Sequence, residues 1–322
     1  MKVVALAGGV GGAKLADGLA QILPPKNLTV IVNTGDDFEH FGLKICPDLD
    51  TVCYTLAGIA NPITGWGLAG ETWNALEAIG TLGGSGWFRL GDRDLGTHLE
   101  RTRRLRSGQS LSQITRDFCR AWGVQPVVLP MSDDPVPTIV QTDEGELAFQ
   151  EYFVRRQCHP RVRGFHFEGV QHARAAPGML EVIEGADLIV ICPSNPWVSV
   201  DPILAIPGVR EALTPSPSPS TRGGRIVAVS PIIAGQAVKG PAAKMYAELG
   251  VEPSALAVAR HYGGLLEGFV FDKQDTESLD AVRMLGIRPF VTDTLMKTSA
   301  DRRRLAGEVL TFFAKGKKER EK

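Results

Sequence analysis

No apolar stretch in this chain approaches the roughly 18 uninterrupted residues of a membrane-spanning helix. Neither sign of charge dominates either: 35 Lys and Arg face 36 Asp and Glu, for a formal net charge of -1. Such a balance gives no overall field that would draw nucleic acid or an acidic membrane surface. Cysteine is scarce. Cys46, Cys53, Cys119, Cys158 and Cys192 are odd in number and form no C-x-x-C pair. That pattern excludes a disulfide scaffold and suits small, reduced, mostly buried thiols. His159, His166 and His172 lack metal-ligand spacing and read as surface or loop residues. The first apolar run begins within two residues of Met1, which leaves no room for a signal peptide. A globular, cytoplasmic protein of one large or two modest domains is expected.

The most informative stretch is the first. Val3, Val4, Ala5 and Leu6 form a short apolar run of the kind found in buried parallel strands. Gly8, Gly9, Gly11 and Gly12 follow, and residues 13–23 then show helical spacing through Leu15, Leu19, Ile22 and Leu23. Strand, glycine turn and helix together aim backbone N–H groups and a helix N-terminus at an anion, with Lys14 as an added charge. The spacing is neither G-x-G-x-x-G nor the P-loop pattern, so no standard nucleotide motif is claimed. The plain alternative is a tight connection.

A second strand spans residues 28–32 and ends in Asn33, Thr34, Gly35, Asp36 and Asp37. Asp48 and Asp50 follow, with Asp50 placed as N-cap of a helix over 51–57. Turn and cap chemistry accounts for some of these four carboxylates. One or two of them fit a Mg²⁺ site, because that ion takes one or two carboxylates together with phosphate oxygens and water. Residues 58–124 then show helices at 71–79, 97–107 and 111–122 with no convincing strand between them. Trp66, Trp73 and Trp87 lie there beside Glu71, Thr72, Asn74, Arg89, Asp92, Arg93 and Asp94. Aromatics in a helical insert are usually core, yet this mixture also suits a flat heterocycle. The basic run at 101–106 reads as a solvated helix face.

Strand character resumes at 127–129, with a hairpin at 139–142 and 146–149. Residues 186–192 form another buried strand that stops at Pro193, Ser194, Asn195 and Pro196. The Pro/Ser-rich stretch 214–224 reads as an extended surface loop. A strand at 225–229 ends at Ser230. Lys239 then stands among glycines before a helix at 242–249, as a second phosphate-type site or a plain helix entry. Short strands are expected at 256–259, 268–271 and 289–292, with a closing helix at 301–313. The fold class expected is α/β: a Rossmann-like, mostly parallel sheet with helices on both faces and a small inserted helical domain. The core takes residues 1–57 and 125–322, and the insert takes 58–124.

Nine segments together resemble the 2-phospho-L-lactate transferase family of deazaflavin coenzyme F-420 biosynthesis. They are LAGGVGGAKLADGL, VNTGDD, CPDLDTVCYTLAG, GWGLAGETWNA, FRLGDRDLGTH, LPMSDDPVPT, CPSNPWVS, VSPIIAGQAVKGPAAK and TDTLMKT, in the family's order and through most of the chain. The resemblance implies a Mg²⁺-dependent phosphotransferase. The ribityl terminal hydroxyl of the deazaflavin Fo attacks a guanosine diphosphate ester of 2-phospholactate or its enolpyruvyl equivalent, and GMP leaves. Asp50 and Arg89 match the family's deazaflavin positions, with Trp73, Asn74, Asp92 and Arg93 expected beside them. Asp36 and Asp50 are expected to hold the metal and carry the catalysis. Gly8, Gly9, Gly11, Gly12, Lys14, Ser194, Asn195, Ser230 and Lys239 are expected on the nucleotide. The glycine loop here reads GGVGGAK where other members carry a Thr, and the Pro/Ser stretch is unusual. A homodimer is also implied.

A second reading keeps the same core as a nucleotide-sugar-binding regulator. It would not need the tryptophan-bearing insert, whose presence favours the transferase. A nicotinamide oxidoreductase is disfavoured by the glycine spacing and by the context at the end of the second strand.

Overall fold

The computed structural model describes residues 1–214 and 225–320. Apart from Thr214, the Pro/Ser stretch expected as a loop lies outside the described residues. At the centre is a seven-stranded parallel sheet. In chain order its strands are β1 (Val3–Ala7), β2 (Leu28–Val32), β3 (Val127–Pro130), β4 (Leu188–Ile191), β5 (Arg225–Val229), β6 (Gly268–Asp272) and β7 (Arg288–Thr292). They stand across the sheet as β7-β6-β5-β4-β1-β2-β3. The chain therefore runs outward from β1 in one direction and later returns to its other side at β4. In such a sheet the two crossovers leave a crevice at the carboxyl ends of the strands where the direction reverses.

Both faces of the sheet are apolar, which is why its strands read as continuous hydrophobic runs. Every residue of β1 is buried. Val3, Ala5 and Ala7 meet Ala13, Leu15 and Leu19 of helix α1 (Gly9–Ala20) on one face, together with Leu305 and Val309 of the closing helix Ser299–Arg320. Val4 and Leu6 point to the other face, among Ile189, Ile191, Phe269 and Phe271. Burying an aliphatic side chain of this size contributes about 1.5–3 kcal/mol. The two-sided core is thus the main source of stability.

Helix α1 begins at Gly9, so the glycines form its first turn rather than a loop ahead of it. Helix α2 spans Pro47–Leu56, with Pro47 in the first turn. Proline suits that position because its missing N–H would have no partner there. Asp50 is thus inside the helix and not its cap, and it joins Asp48 in the first turn. The apolar run at 256–259 is not a strand. It belongs to a helix, Ala255–Tyr262, whose cap Ser254 accepts a hydrogen bond from the Ala257 N–H at 3.0 Å. Its buried Ala255, Val258, Ala259 and Tyr262 repeat at helical spacing. A hairpin with no counterpart in the sequence reading pairs Phe38–His40 with Leu43–Ile45.

Between that hairpin and β3 lie helices α2, α3 (Asn74–Thr81), α4 (Asp92–Arg106) and α5 (Leu111–Ala121). Leu111 and Cys119 of α5 join the buried cluster of β1 and β2. Helix α3 buries none of its residues, and α4 buries only His98, Arg101 and Thr102. A separate three-stranded antiparallel sheet, formed by Thr138–Thr142, Gly145–Ala148 and Val162–Phe167, flanks the crevice.

The crevice is narrow because two turns meet. A Cβ built on Gly11 would lie 2.2 Å from the Pro193 carbonyl oxygen, and one on Gly12 would lie 2.6 Å from the Ser194 hydroxyl. Gly11→Ala should lower stability by about 1–3 kcal/mol, the range for a forced backbone contact. In Gly80→Ala, where the added carbon meets nothing within 4 Å, stability should hold or rise slightly. Paired denaturant titrations of the two variants check this.

Candidate active site

A cavity of about 630 Å³ opens over the carboxyl ends of β1, β4 and β5. Its floor is the glycine turn, with Gly8, Gly9 and Gly11 on the wall and Gly12 packed behind it. Ser194 pins this turn from the neighbouring strand end. Its hydroxyl donates to the Gly8 carbonyl at 2.8 Å and accepts from the Gly8 N–H at 3.1 Å. Asn195 lines the cavity and accepts from the Trp197 N–H at 3.1 Å, while Ser230 lines it and donates to the Ile232 carbonyl at 2.9 Å. These hydroxyl and amide groups shape turns whose backbone faces the cavity.

Two ammonium groups flank the glycine turn. Lys14 donates to the Met296 carbonyl at 2.8 Å, and Lys239 donates to the Thr64 carbonyl. Burial lowers the Lys14 pKa, with Arg302 and Lys239 adding repulsion. Cations crowded beside a helix N-terminus are the electrostatic setting for a phosphate or diphosphate. Of the residues expected on the nucleotide, all but Gly12 thus line one cavity.

The carboxylates divide into two groups. Asp36 and Asp48 lie against each other, the first at the end of β2 and the second in the first turn of α2, and both line the cavity. Asn33 donates to Asp48 at 2.9 Å, and Gln150 donates to one Asp36 oxygen at 3.2 Å. The other Asp36 oxygen is buried with no partner. Burial, Asp48 and Asp37 hold the Asp36 carboxyl well above its ordinary value. Burial also raises Asp48 to about 6, opposed by hydrogen bonds from Asn33 and from the Gly9 N–H. Asp37 is turned away to Lys44 at 3.2 Å and the Cys46 thiol at 3.0 Å.

Asp50 lines the same cavity but is joined to Arg101, which donates to its Oδ2 at 3.0 Å and to its Oδ1 as well. Burial raises the Asp50 carboxyl, and Arg101 and His98 pull it back. Asp50, Asp94 and His98 could bring ligand atoms within 4.8 Å of one another, but the Arg101 guanidinium already sits against that group. The carboxylate beside Asp36 is therefore Asp48, whereas the sequence reading had paired Asp36 with Asp50.

Another part of the wall is aromatic. Trp66, Trp87 and Phe88 face it from the insert, and Phe149 and Phe153 from the segment that follows the flanking hairpin. Arg89 reaches it while stacking over the Trp73 ring at 4.3 Å. Trp73, Asn74, Asp92 and Arg93 are not on the wall. Asp92 caps α3 through the Asn74 and Ala75 N–H groups at 3.0 and 2.9 Å, and hydrogen bonds from Thr72 and these groups lower its pKa to about 2. Arg93 donates to the Ala69 carbonyl at 2.7 Å. These four build the insert that carries Arg89.

Several wall residues escaped the sequence reading: Phe149, Gln150, Phe153, His98, Ser199 and Met296. The last lies in TDTLMKT, a segment that carried a signal but received no role. Phe149, Gln150 and Phe153 had none to offer, since they follow an ordinary hairpin. Among the described residues no cysteine lines the cavity.

A glycine turn at the switch point of a doubly wound sheet, opening into an aromatic-lined cavity, defines a Rossmann-like α/β protein with its candidate site at the carboxyl ends of the strands. The chain belongs to the 2-phospho-L-lactate transferase CofD family, whose model matches residues 3–309. Among its relatives is a phosphoenolpyruvate transferase of Streptomyces griseus, 47% identical over 294 residues that span 89% of this chain and 91% of that one. A 2-phospho-L-lactate transferase of Methanosarcina mazei is 39% identical over 97% of this chain and 100% of its own. A solved UPF0052-family protein of Bacillus halodurans shares the fold, with a TM-score of 0.61 at 17% identity over 96% of this chain and 98% of that one.

Asp48 binds its proton more tightly in the folded protein than in the unfolded chain, because its folded pKa is raised. Its contribution to stability is therefore present in acid and is lost as pH climbs through about 6. In chelator-treated protein, the melting temperature of wild type should fall relative to Asp48→Asn between about pH 5 and about pH 7.5. Parallel curves for the two proteins would show that Asp48 does not titrate there.

Proposed function

We infer that this transferase moves a phospho-C3-acid group, 2-phospholactate or phosphoenolpyruvate, onto the deazaflavin Fo in coenzyme F-420 biosynthesis. The donor in this reading is a guanosine diphosphate ester of the C3 acid, the acceptor atom is the ribityl terminal hydroxyl, and GMP leaves. The observation that carries it is the single cavity whose floor is an anion-binding glycine turn and whose far wall is aromatic. A diphosphate and a flat ring then meet where the two ends join.

Displacement at a diphosphate requires positioning and charge neutralisation more than covalent chemistry. The α1 N-terminus, Lys14 and Lys239 hold the diphosphate, and Trp87, Phe88 and Arg89 hold the ring. Asp36 fits a hard divalent cation, because one of its oxygens is buried without a partner and Asp48 lies against it. Asp50 stands across the wall with its oxygens on Arg101, so its share in a metal site is the smaller one. Mg²⁺ bound there would neutralise charge on the transferring phosphate. Asp36 and Asp48, close enough to share a proton, can also receive the one that the attacking hydroxyl gives up. The homodimer belongs to the same reading and rests on the family resemblance, while the cytoplasmic location rests on the pattern of reduced cysteines.

Calorimetric titration with Fo, and separately with GDP plus Mg²⁺, tests it. Binding of both is expected. Nucleotide binding without any affinity for Fo, even with GDP and Mg²⁺ present, would favour the regulator. Asp36→Ala and Asp50→Ala should each lose about 100-fold or more in turnover, as removal of one charge-stabilising group does. Arg89→Ala should mainly raise the KM for Fo.

A further inference from the structure

Among the described residues, Arg101 on α4 is one of the largest fully buried side chains, with 2% exposure. Both terminal nitrogens of its guanidinium donate to the Asp50 carboxylate on α2, one to each oxygen. One of them also reaches the Lys44 carbonyl at 3.4 Å and His98 Nδ1 at 3.3 Å. His98 lies between Asp50, at 3.7 Å from its Nδ1, and Asp94, at 3.5 Å from its Nε2. Asp94 in turn accepts the Tyr54 hydroxyl at 2.6 Å. Asp50, Tyr54, Asp94 and His98 all line the cavity, whereas Arg101 lies behind them.

A buried ion pair of this kind is weak evidence for stability, since apolar side chains of similar volume often serve as well or better. What a fork on a carboxylate does supply is direction. It fixes the plane of the group and opposes the effect of burial on its charge, and each oxygen retains a second lone pair. Asp50 itself lines the cavity. Around Asp50 the wall offers polar atoms, namely the Tyr54 hydroxyl, the Asp94 carboxylate and the His98 imidazole nitrogens.

We propose that Arg101 is a positioning residue that holds Asp50 as a fixed hydroxyl acceptor for the polyol chain of the acceptor substrate. The inference rests on the transferase reading. In this role Asp50 does not take the proton, and its main partner is the acceptor rather than the metal. It accepts a hydrogen bond from a ribityl hydroxyl and so aims the chain at the diphosphate end. Because Arg101 comes from α4 and Asp50 from α2, the same contact ties the placement of the insert to the placement of the chain.

The test is a double-mutant cycle on the full-length protein, made from Arg101→Met, Asp50→Asn and both together. Circular dichroism and melting curves accompany each variant, and KM is measured separately for Fo and for the donor. Arg101→Met should raise the KM for Fo by about tenfold, the size of a lost charge-assisted contact, and leave the donor KM within about twofold. The double variant should be no worse than Asp50→Asn alone. Additive losses, or equal rises in both KM values, would assign Arg101 a purely structural role and overturn the proposal. If Arg101→Met does not fold, Arg101→Lys decides, since it keeps the charge and loses the fork. An unchanged KM for Fo in that variant also overturns it. Wild-type protein that neither binds nor turns over Fo would instead refute the transferase reading itself.

Discussion

The contact on which the rest of the structure depends is backbone against backbone. The turn after β1 presses onto the turn after β4 so closely that no side chain fits at Gly11, and Ser194 locks the two with a pair of hydrogen bonds to Gly8. These are adjacent parallel strands, paired from Val3 and Leu188 to Leu6 and Ile191. Their ends are therefore held at a fixed spacing by the sheet, and the first turn of α1 is held with them. Asp48 is set by the same geometry, since a Cβ on Gly8 would meet its Oδ2 at 2.5 Å. One steric requirement thus positions the helix N-terminus, the carboxylate beside it and the mouth of the cavity.

The electrostatics above that contact run against stability. Asp36 and Asp48 are packed together with one buried oxygen left unpaired, and burial disfavours the charged form of each. A folding optimum would not place them so. Arg101 and Asp50 carry a related cost, because breaking a buried pair on one side leaves a charge stranded, at about 3–5 kcal/mol. Such tension is tolerated where a ligand relieves it, and both groups face the same cavity. The apolar sheet, buried on two faces, has enough stability to carry them.

The sheet was legible in the sequence because a parallel strand with two buried faces is written as an uninterrupted apolar run. β1, β2, β4 and β5 all take that form. The run at 256–259 has the same letters, and only its cap Ser254 and the helical spacing beyond it tell the helix from a strand. The glycine-turn side of the cavity was legible too, since it is made from turns that bracket those strands. The aromatic side was not. Trp73, Asn74, Asp92 and Arg93 sit beside Arg89 in sequence, yet they spend their polar groups inside the insert, as Asp92 does in capping α3. Phe149 and Phe153 reach the cavity from the segment after a distant hairpin, and no local pattern announces a contact that only tertiary packing creates. Arg101 was read as solvated because it stands in a run of arginines. Helical periodicity turns that one residue inward beside His98 and Thr102.

This division between core and insert also says where selectivity must lie. Backbone N–H groups and lysines recognise phosphate whatever it is esterified to, so the glycine turn cannot distinguish one C3 acid from another. A lactyl and an enolpyruvyl group differ by two hydrogens at a single carbon pair, tetrahedral in one and planar in the other. A pocket wall separates ligands that similar by only about 1–3 kcal/mol. Relatives bearing the two different names match this chain at 47% and 39% identity over most of its length, which is what so small a difference would produce. In the proposed reaction, selection of the C3 group would therefore fall to one or two side chains near the transferring phosphate. Selection of the acceptor would instead be spread over the aromatic wall and the polar patch around Asp50.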